Sequence, residues 1–307
     1  MKIILPFENT PEERLGIGPS QGVVYALDED IVLKLPFQYE VTRDIKQAYC
    51  WDHSIRSLVA MEQEVAVYEA LHNRPHPNFT RKLATNRSDY LFLERLEPLQ
   101  EAWPNAKQRD RHRWVLELLA AVSYLEKIGF VNGDLAVRNL GVDRSNTLKL
   151  FDFGSAIPRS HPDFLHDVVR DHSNLATCLH FLLSGVDPFA DAHSHARVTK
   201  IRDMLKDGRW RIAEGAEVIA DIIRDGWAGR NGSMAFNDLF VQVANILDVS
   251  HQSSALTMPA ESHYQGLQSR CENWLSHARR NPDWKGADEY VAACRDAGHE
   301  ADLDVWR

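Results

Sequence analysis

The chain has 307 residues, of which 44% are hydrophobic, so it is long enough for a two-lobed unit with a sizeable core and an appendage. Its 35 Lys and Arg residues are outnumbered by 44 Asp and Glu residues, and a net charge of -9 argues against nucleic acid or an anionic membrane as partner. We expect neither nucleic-acid binding nor membrane insertion.

The N-terminal stretch and the cysteines predict an intracellular protein. The run MKIILPFENTPEERL returns to charged residues after a few apolar ones, and no window approaches the roughly 18 apolar residues of a membrane span. The four cysteines are widely and irregularly spaced, a pattern typical of reduced thiols. We expect a cytoplasmic location, with the nucleus as the alternative, and the sequence predicts no oligomeric state.

Strand patterns dominate the first third of the chain. Residues 22–36, GVVYALDEDIVLKLP, contain two β-rich runs separated by an acidic turn at 28–30, the pattern of an antiparallel hairpin. Lys34 lies in the second run, where side chains alternate between the two faces of the strand. Residues 57–71 predict a helix from their apolar spacing, and residues 89–96 predict another strand.

Helical patterns dominate after Pro98. One apolar stripe runs from Trp114 to Leu125, and a second runs from Leu175 to Leu183. Between the two stripes, residues 148–153 predict a short strand after the turn residues 143–146. The chain therefore predicts an α+β fold, with a small antiparallel sheet and one helix followed by a larger, mainly helical part.

The last segment predicts an appendage. Residues 249–262 are polar and predict a linker, and two short helices are expected at 264–280 and 288–297. Its aromatic residues are expected to pack it onto the helical part; they are Tyr264, Trp274, Trp284, Tyr290 and Trp306. The predicted divisions are 1–96, 97–248 and 249–307.

Oxygen-bearing side chains follow short strands in residues 130–156, FVNGDLAVRNLGVDRSNTLKLFDFGSA. Two carboxylates, Asp134 and Asp152, and the amide of Asn139 offer the oxygen ligands that Mg²⁺ prefers. Magnesium in such sites usually shares its coordination with the phosphates of a substrate. The pattern therefore predicts a site for a metal-bound phosphate compound.

Residues that suit the phosphates lie upstream. Gly16, Gly18 and Gly22 precede a strand, and glycines allow backbone amides to approach an anion closely. Lys34 on the next strand adds a fixed positive charge. Because a buried ammonium needs a partner to stay charged, we expect Glu64 on the first helix to pair with it.

In this order, the motifs resemble those of the eukaryotic protein kinase superfamily over about Leu15 to Leu247. LGIGPSQGVVY resembles the glycine-rich loop, IVLKLP the strand of the phosphate-binding lysine, and MEQEVAVYEALHNRPHPNF the third helix with its exit. LFLERL resembles the hinge between lobes, YLEKIGFVNGDLAVRN the catalytic loop, and LKLFDFG the metal-binding segment. DHSNLATCLHFLLSGVDPF is similar to the helix opened by a buried aspartate, here Asp171. The whole is similar to kinase-like proteins of filamentous fungi.

The resemblance implies a bilobal protein-kinase-like fold that binds ATP and Mg²⁺. It implies that Asp134 orients or deprotonates the attacking hydroxyl, with Arg138 near the transferred phosphate. It implies that Asn139 and Asp152 hold Mg²⁺. Lys34, paired with Glu64, would contact the α- and β-phosphates. The nucleotide-binding residues implied are Gly16, Gly18, Gly22, Val24, Lys34, the gatekeeper Leu93, and the hinge residues Glu94 and Leu96.

The chain departs from the family pattern in three places. Three residues instead of two separate Gly18 from Gly22. An Asn-Gly-Asp triplet at 132–134 replaces His-Arg-Asp, so the chain lacks the arginine that in the family binds a phosphorylated activation loop. Asp152 and Asp171 lie only 19 positions apart with no Ala-Pro-Glu triplet between them, so the usual peptide platform is expected to be absent.

Three functions follow from the resemblance. The first is transfer of the γ-phosphate of ATP to a protein hydroxyl, on Ser or Thr rather than Tyr. The second is transfer to a small molecule, which the missing peptide platform favours. The third is a nucleotide-binding pseudokinase that serves as a scaffold. We rank them in this order because the polar catalytic positions are all retained.

Overall fold

A computed structural model describes residues 2–18, 22–42, 48–72, 74–83, 89–247 and 261–303. The chain divides into two units. The first contains the described residues of Met1–Arg74, Arg81–Arg95 and Met258–Arg307, and the second those of Pro75–Thr80 and Leu96–Thr257. Three sequence predictions concern residues outside the described ranges: the insertion at 19–21, most of the linker at 249–262, and Trp306.

The first unit contains an antiparallel five-stranded sheet, a separate pair of short strands and, among the residues described, three helices. The strands are β1 (Ile3–Ile4), β2 (Arg14–Gly18), β3 (Gly22–Ala26), β4 (Ile31–Leu35), β5 (Gln38–Tyr39), β6 (Lys82–Leu83) and β7 (Leu91–Glu94), and the helices are α1 (Ala48–His72), α8 (Glu261–His277) and α9 (Ala287–Asp296). The order in the five-stranded sheet is β2-β3-β4-β7-β6, and β1 pairs with β5.

The predicted hairpin is confirmed as β3 and β4, which pair with Val24 opposite Lys34. The turn between them is closed by the Asp28 carboxylate, which accepts hydrogen bonds from the backbone N–H of Asp30 at 2.9 Å and of Ile31 at 3.0 Å. The predicted helix at 57–71 is also present, but α1 begins earlier, at Ala48. The sheet and α1 together make the β-rich part that the sequence predicts.

The C-terminal helices pack within this first unit, so their expected placement on the helical part is wrong. Tyr264 and Cys271 of α8 are buried in the core of the sheet. Tyr290 and Cys294 of α9 are buried against a cluster that includes Trp51 of α1. The aromatic spacing correctly indicated a packed tail, but it carries no information about which surface the tail covers.

Polar contacts also hold this tail. The Arg270 guanidinium donates to the Asp28 carboxylate at 3.0 Å and to the Asp30 carboxylate at 2.9 Å, both in the β3–β4 turn. The Gln38 side chain donates to the backbone carbonyl of Lys285 at 2.5 Å and accepts from its N–H at 3.2 Å. The tail therefore contacts the turn and β5 as well as the sheet and α1.

The second unit is mostly helical, as predicted, with short strands beside the helices. Both apolar stripes are confirmed, the first in α3 and the second in α4. None of the helices described in either unit is both long and apolar enough to cross a membrane. The helices are α2 (Leu99–Ala102), α3 (Gln108–Lys127), α4 (Phe164–Ser184), α5 (His195–Lys206), α6 (Ala220–Trp227) and α7 (Phe236–Ile246), and the strands are β8 (Glu97–Pro98), β9 (Phe130–Val131), β10 (Leu140–Val142), β11 (Leu148–Leu150) and β12 (Ile157–Pro158).

The burial of Tyr290 makes the tail a stabilising part of the first unit. We expect Tyr290→Ala to lower the free energy of unfolding by about 3–5 kcal/mol, since it empties a packed aromatic site. Tyr290→Phe removes only the hydroxyl that donates to the Tyr39 carbonyl at 2.7 Å and should cost about 1 kcal/mol. Urea unfolding measures both. Tyr49→Ala is the matched control because Tyr49 is 72% exposed; an equal loss in this control would contradict the packing.

Candidate functional site

The loop between β9 and β10 carries three of the predicted site residues, Asp134, Arg138 and Asn139. Asn132 begins the loop, and its side-chain oxygen accepts a hydrogen bond from the Asp134 N–H at 3.0 Å. This is a local Asx-type turn, which a short polar side chain can form. Asn132 therefore has a definite structural role in the loop, although the sequence showed it only as a departure from the family pattern.

The buried Asp171 carboxylate of α4 fixes the start of this loop. Its oxygens accept from the backbone N–H of Asn132 at 2.8 Å and of Gly133 at 3.2 Å. Burial raises the pKa of Asp171 to about 7, whereas the two backbone donors act to lower it. The loop is thus tied to α4 through its backbone, which leaves the side chains of the loop available for other contacts.

The Asp134 carboxylate is oriented by two neighbours in the same loop. Arg138 Nη2 lies 2.7 Å from each of its oxygens. Asn139 Nδ2 donates to the Asp134 carbonyl at 2.8 Å and lies 3.3 Å from Oδ2 of the carboxylate. Because Asp134 is only part-buried, a fixed carboxylate is presented where a substrate hydroxyl can reach it. Such a group can accept or orient a proton.

The hairpin of β10 and β11 brings Asn139 and Asp152 to the same end. Leu140 pairs with Leu150, and the Phe151 N–H donates to the Asn139 carbonyl at 3.1 Å. Asn139 directly precedes β10 and Asp152 follows β11, so the pairing register alone makes them neighbours. Lying 13 positions apart in sequence, they are joined by the turn at 143–146, as the strand pattern predicts.

The backbone at Asp152 is strained. Its φ is +64°, in the left-handed region that a residue with a side chain rarely adopts and that costs about 1–2 kcal/mol. The next residue, Phe153, is fully buried and lies with its ring centroid 5.8 Å from that of Phe79. Strained backbone positions of this kind cluster at functional sites.

The donor set at this end of the hairpin suits a hard cation. Since the amide nitrogen of Asn139 is engaged with Asp134, its oxygen is the atom left to act as a ligand, beside the carboxylate of Asp152. Oxygen ligands of this kind match Mg²⁺. No group of three or more His, Cys, Asp or Glu side chains that could hold a metal occurs in the described ranges. A cation held by Asn139 and Asp152 would complete its coordination with other oxygens, such as those of water or of a phosphate.

In the first unit, Lys34 of β4 and Glu64 of α1 form a buried ion pair between Lys34 Nζ and Glu64 Oε2. Lys34 is 5% exposed and Glu64 is fully buried. In a buried pair of this kind, each charge compensates the burial of the other. The pair fixes the ammonium on the strand between β3 and β7, with Val24 and Leu91 as its cross-strand neighbours.

The predicted glycines have different surroundings. Gly22 has a φ of +120°, and a Cβ atom there would lie 2.5 Å from the Leu35 carbonyl oxygen. This position needs glycine for the fold of the hairpin, whatever it binds. Gly16 has open space around the Cβ position, and Gly18 pairs with Gly22 at the end of β2. Open space beside Gly16 is compatible with the close approach of an anion.

The predicted hinge residues are held by the chain around them. Leu93 is buried and pairs with Val32. The Glu94 carboxylate accepts from the Arg81 N–H at 2.7 Å, and the Tyr264 hydroxyl lies 3.5 Å from its other oxygen. No pattern in the sequence indicates the Tyr264 contact, because the two residues are 170 positions apart. Leu96 belongs to the second unit, where its side chain packs beside Gly141.

The positive φ of Gly133 offers a test of the Asp171 contact. At φ +75°, a Cβ atom on residue 133 would lie 2.3 Å from the Ser155 carbonyl oxygen, so Gly133→Ala must displace the loop. We expect a loss of about 3 kcal/mol or more in urea unfolding. Gly129→Ala is the control, because φ is +91° there but the Cβ position is open, and it should cost about 1–2 kcal/mol. Similar losses in the two variants would contradict a tightly held loop.

The known proteins to which this chain is similar include several that are named as kinases. Over 88 residues the chain is 33% identical to the hormonally up-regulated neu tumor-associated kinase of Homo sapiens, a match that covers 26% of this chain and 12% of that protein. It is 24% identical over 152 residues to a probable serine/threonine-protein kinase, a KIN1 homolog, of Encephalitozoon cuniculi, covering 46% and 26%. It is 23% identical over 197 residues to the serine/threonine-protein kinase kin-29 of Caenorhabditis elegans, covering 54% and 24%.

These matches are partial and distant. The chain spans between 12% and 26% of the length of these three relatives. No family model matches the sequence. The similarities to proteins named as kinases nevertheless agree with one another, and they suggest a protein-kinase-like family for this chain.

Proposed function

We propose that the chain is an ATP- and Mg²⁺-dependent phosphotransferase that transfers the γ-phosphate to a hydroxyl, with Ser or Thr of a protein preferred over Tyr. The observation that carries the proposal is the fixed Asp134 carboxylate, held by Arg138 and Asn139 in a loop that Asp171 ties to α4. A carboxylate oriented in this way is a suitable proton acceptor. The kinase-named relatives support the same reaction class.

In this proposal, Asp134 orients the acceptor hydroxyl and takes its proton as the hydroxyl oxygen forms a bond to the γ-phosphorus. The bond from that phosphorus to the bridging oxygen breaks, and ADP leaves with the electron pair. Asn139 and Asp152 would hold Mg²⁺, which when bound neutralises charge on the phosphate oxygens. Arg138 orients Asp134 and lies beside the transferred group.

The other proposed contacts, except that of Leu96, come from residues of the first unit. Lys34, kept charged and in place by Glu64, would bind the α- and β-phosphates. The glycine-rich strands with Gly16, Gly18 and Gly22 would approach the phosphates through their backbone amides. The adenine would meet the hydrophobic side chain of Val24, the gatekeeper Leu93, and the hinge backbone at Glu94 and Leu96.

Transfer to a small molecule is the second candidate. It is favoured by the short connection after Asp152, where β12 pairs directly with β9 and α4 begins at Phe164. A pseudokinase scaffold is the third candidate, and the presence of the Lys34–Glu64 pair and of both proposed metal ligands disfavours it. The free thiols of all four cysteines support an intracellular, cytoplasmic setting as part of the proposal.

Single substitutions test this assignment. Asp134→Asn, Asp152→Asn and Lys34→Met should each lower the rate of phosphate transfer from radiolabelled ATP about a thousandfold, because positioning and charge neutralisation supply most of the catalysis. Asp221→Asn and Lys127→Met are matched controls at exposed helical positions and should keep the wild-type rate. Acceptors should include Ser, Thr and Tyr peptides and a panel of small alcohols.

Wild-type rates in the first three variants would contradict the assigned roles. Circular dichroism and urea unfolding show whether a loss of activity reflects unfolding. Tight ATP binding without transfer to any acceptor would favour the pseudokinase alternative.

A further inference from the structure

A cavity of about 410 Å³ lies in the second unit beside Asp134. The loop at 134–138 forms one wall, α4 contributes Asn174 and Thr177, and α5 contributes Val198 and Arg202. Residues 153–170 are all described by the structure, and none of them lines this cavity. The segment that follows the proposed metal ligand therefore leaves the space next to the proposed base open.

The lining combines small neutral residues with charged ones. Ala136, Ala190 and Ala192 leave room for a substrate group. Asp187 also lines the cavity and accepts a hydrogen bond from the backbone N–H of Phe189 at 2.8 Å. Arg202 is exposed and forms no ion pair with any residue in the described ranges. It is the lining cation that is not engaged with a carboxylate, unlike Arg138.

The charge on α5 contrasts with that of the whole chain. Within His195–Lys206 the helix has four basic residues, Arg197, Lys200, Arg202 and Lys206, against the single acid Asp203. All four are exposed, and none pairs with a carboxylate among the described residues. Arg202 and Lys206, one helical turn apart, form a local basic surface beside the cavity in a chain with a net charge of -9, while Arg197 and Lys200 lie on the other side of the helix. Such a surface attracts an acidic partner.

We propose that the cavity and the basic surface of α5 bind an acidic segment of a protein acceptor, whose Ser or Thr hydroxyl enters beside Asp134 while a carboxylate near it contacts Arg202. This inference rests on the proposed function and gives its substrate class. A small acceptor inside the cavity would reach Arg202, but it would not use Lys206, which lies one turn farther along α5 and outside the lining. The positive charge that continues beyond the cavity at Lys206 therefore favours an acidic segment of a chain over a single small anion.

Matched peptides test the inference. Three peptides with one Ser would be compared: one flanked by Asp and Glu, one by Asn and Gln, and one by Lys. We expect the full-length protein to phosphorylate the acidic peptide with the lowest KM. Arg202→Glu should raise the KM for the acidic peptide about tenfold, with little change in kcat or in the KM for the neutral peptide, because it reverses one screened surface charge.

Arg224→Glu on α6 is the control, since it makes the same charge change at an exposed position away from the cavity. Equal rates on acidic and neutral peptides, or equal effects of the two charge reversals, would overturn the inference and leave the proposed function standing. Phosphate transfer to small alcohols alone would also overturn it.

A binding measurement separates the inference from catalysis. The acidic peptide, labelled with tetramethylrhodamine, would be titrated with the wild type and with Arg202→Glu in a fluorescence anisotropy assay at 50 and 300 mM salt. Binding that weakens with salt and with Arg202→Glu, in the absence of any phosphate transfer, would support the acidic docking surface and overturn the proposed function. A wild-type protein that neither binds the acidic peptide nor transfers phosphate would overturn both the inference and the proposed function.

Discussion

The proposed active site depends on one buried carboxylate that accepts two backbone hydrogen bonds. Asp171 comes from the middle of α4 and fixes the amides of Asn132 and Gly133 at the start of the loop. Everything that follows in the loop takes its position from this contact: Asp134 is directed by Arg138, and Asn139 leads into β10. Most residues of α4 are buried, so this contact ties the loop to a packed helix.

In each unit, the charge of one proposed site residue is balanced by an ion-pair partner, but the two partners come from different parts of the sequence. In the first unit, the buried charge of Lys34 is balanced by Glu64, and α1 is itself held by the C-terminal tail through Tyr290 and Trp51. In the second unit, the charge of Asp134 is balanced by Arg138 within the loop, four residues away. A long-range ion pair thus depends on tertiary packing, while a local one depends on the loop itself.

The sequence predicts the parts of this structure that local patterns determine. The two β-rich runs in residues 22–36, whose side chains alternate between two faces, predicted the hairpin. Apolar residues at helical spacing predicted α3 and α4, because each pattern reflects one buried face. The ion pair between Lys34 and Glu64 is also present, although its part in binding phosphates stays a prediction. The site residues Asn139 and Asp152 become neighbours through strand register, which the short strand pattern allowed.

The features that were not predicted from the sequence depend on contacts between segments that are distant along the chain. An aromatic residue such as Tyr264 signals burial but does not identify its partner, so the tail was assigned to the wrong unit. In the sequence, Asn132 is only a departure from the kinase pattern. The hydrogen bond that its side chain accepts from the Asp134 N–H cannot be inferred from residue identity alone. The basic surface of α5 was visible in the sequence, but only the cavity beside it connects it with Asp134.

We propose that Asn139 and Asp152 hold a metal ion that is bound to the phosphates of ATP. Calorimetric titration of ATP with and without Mg²⁺, in the wild type and in Asp152→Asn, tests this proposal. We expect Mg²⁺ to tighten ATP binding about tenfold or more in the wild type and to have little effect in the variant. Equal affinities with and without Mg²⁺ in the wild type, or an undiminished effect of Mg²⁺ in Asp152→Asn, would contradict it.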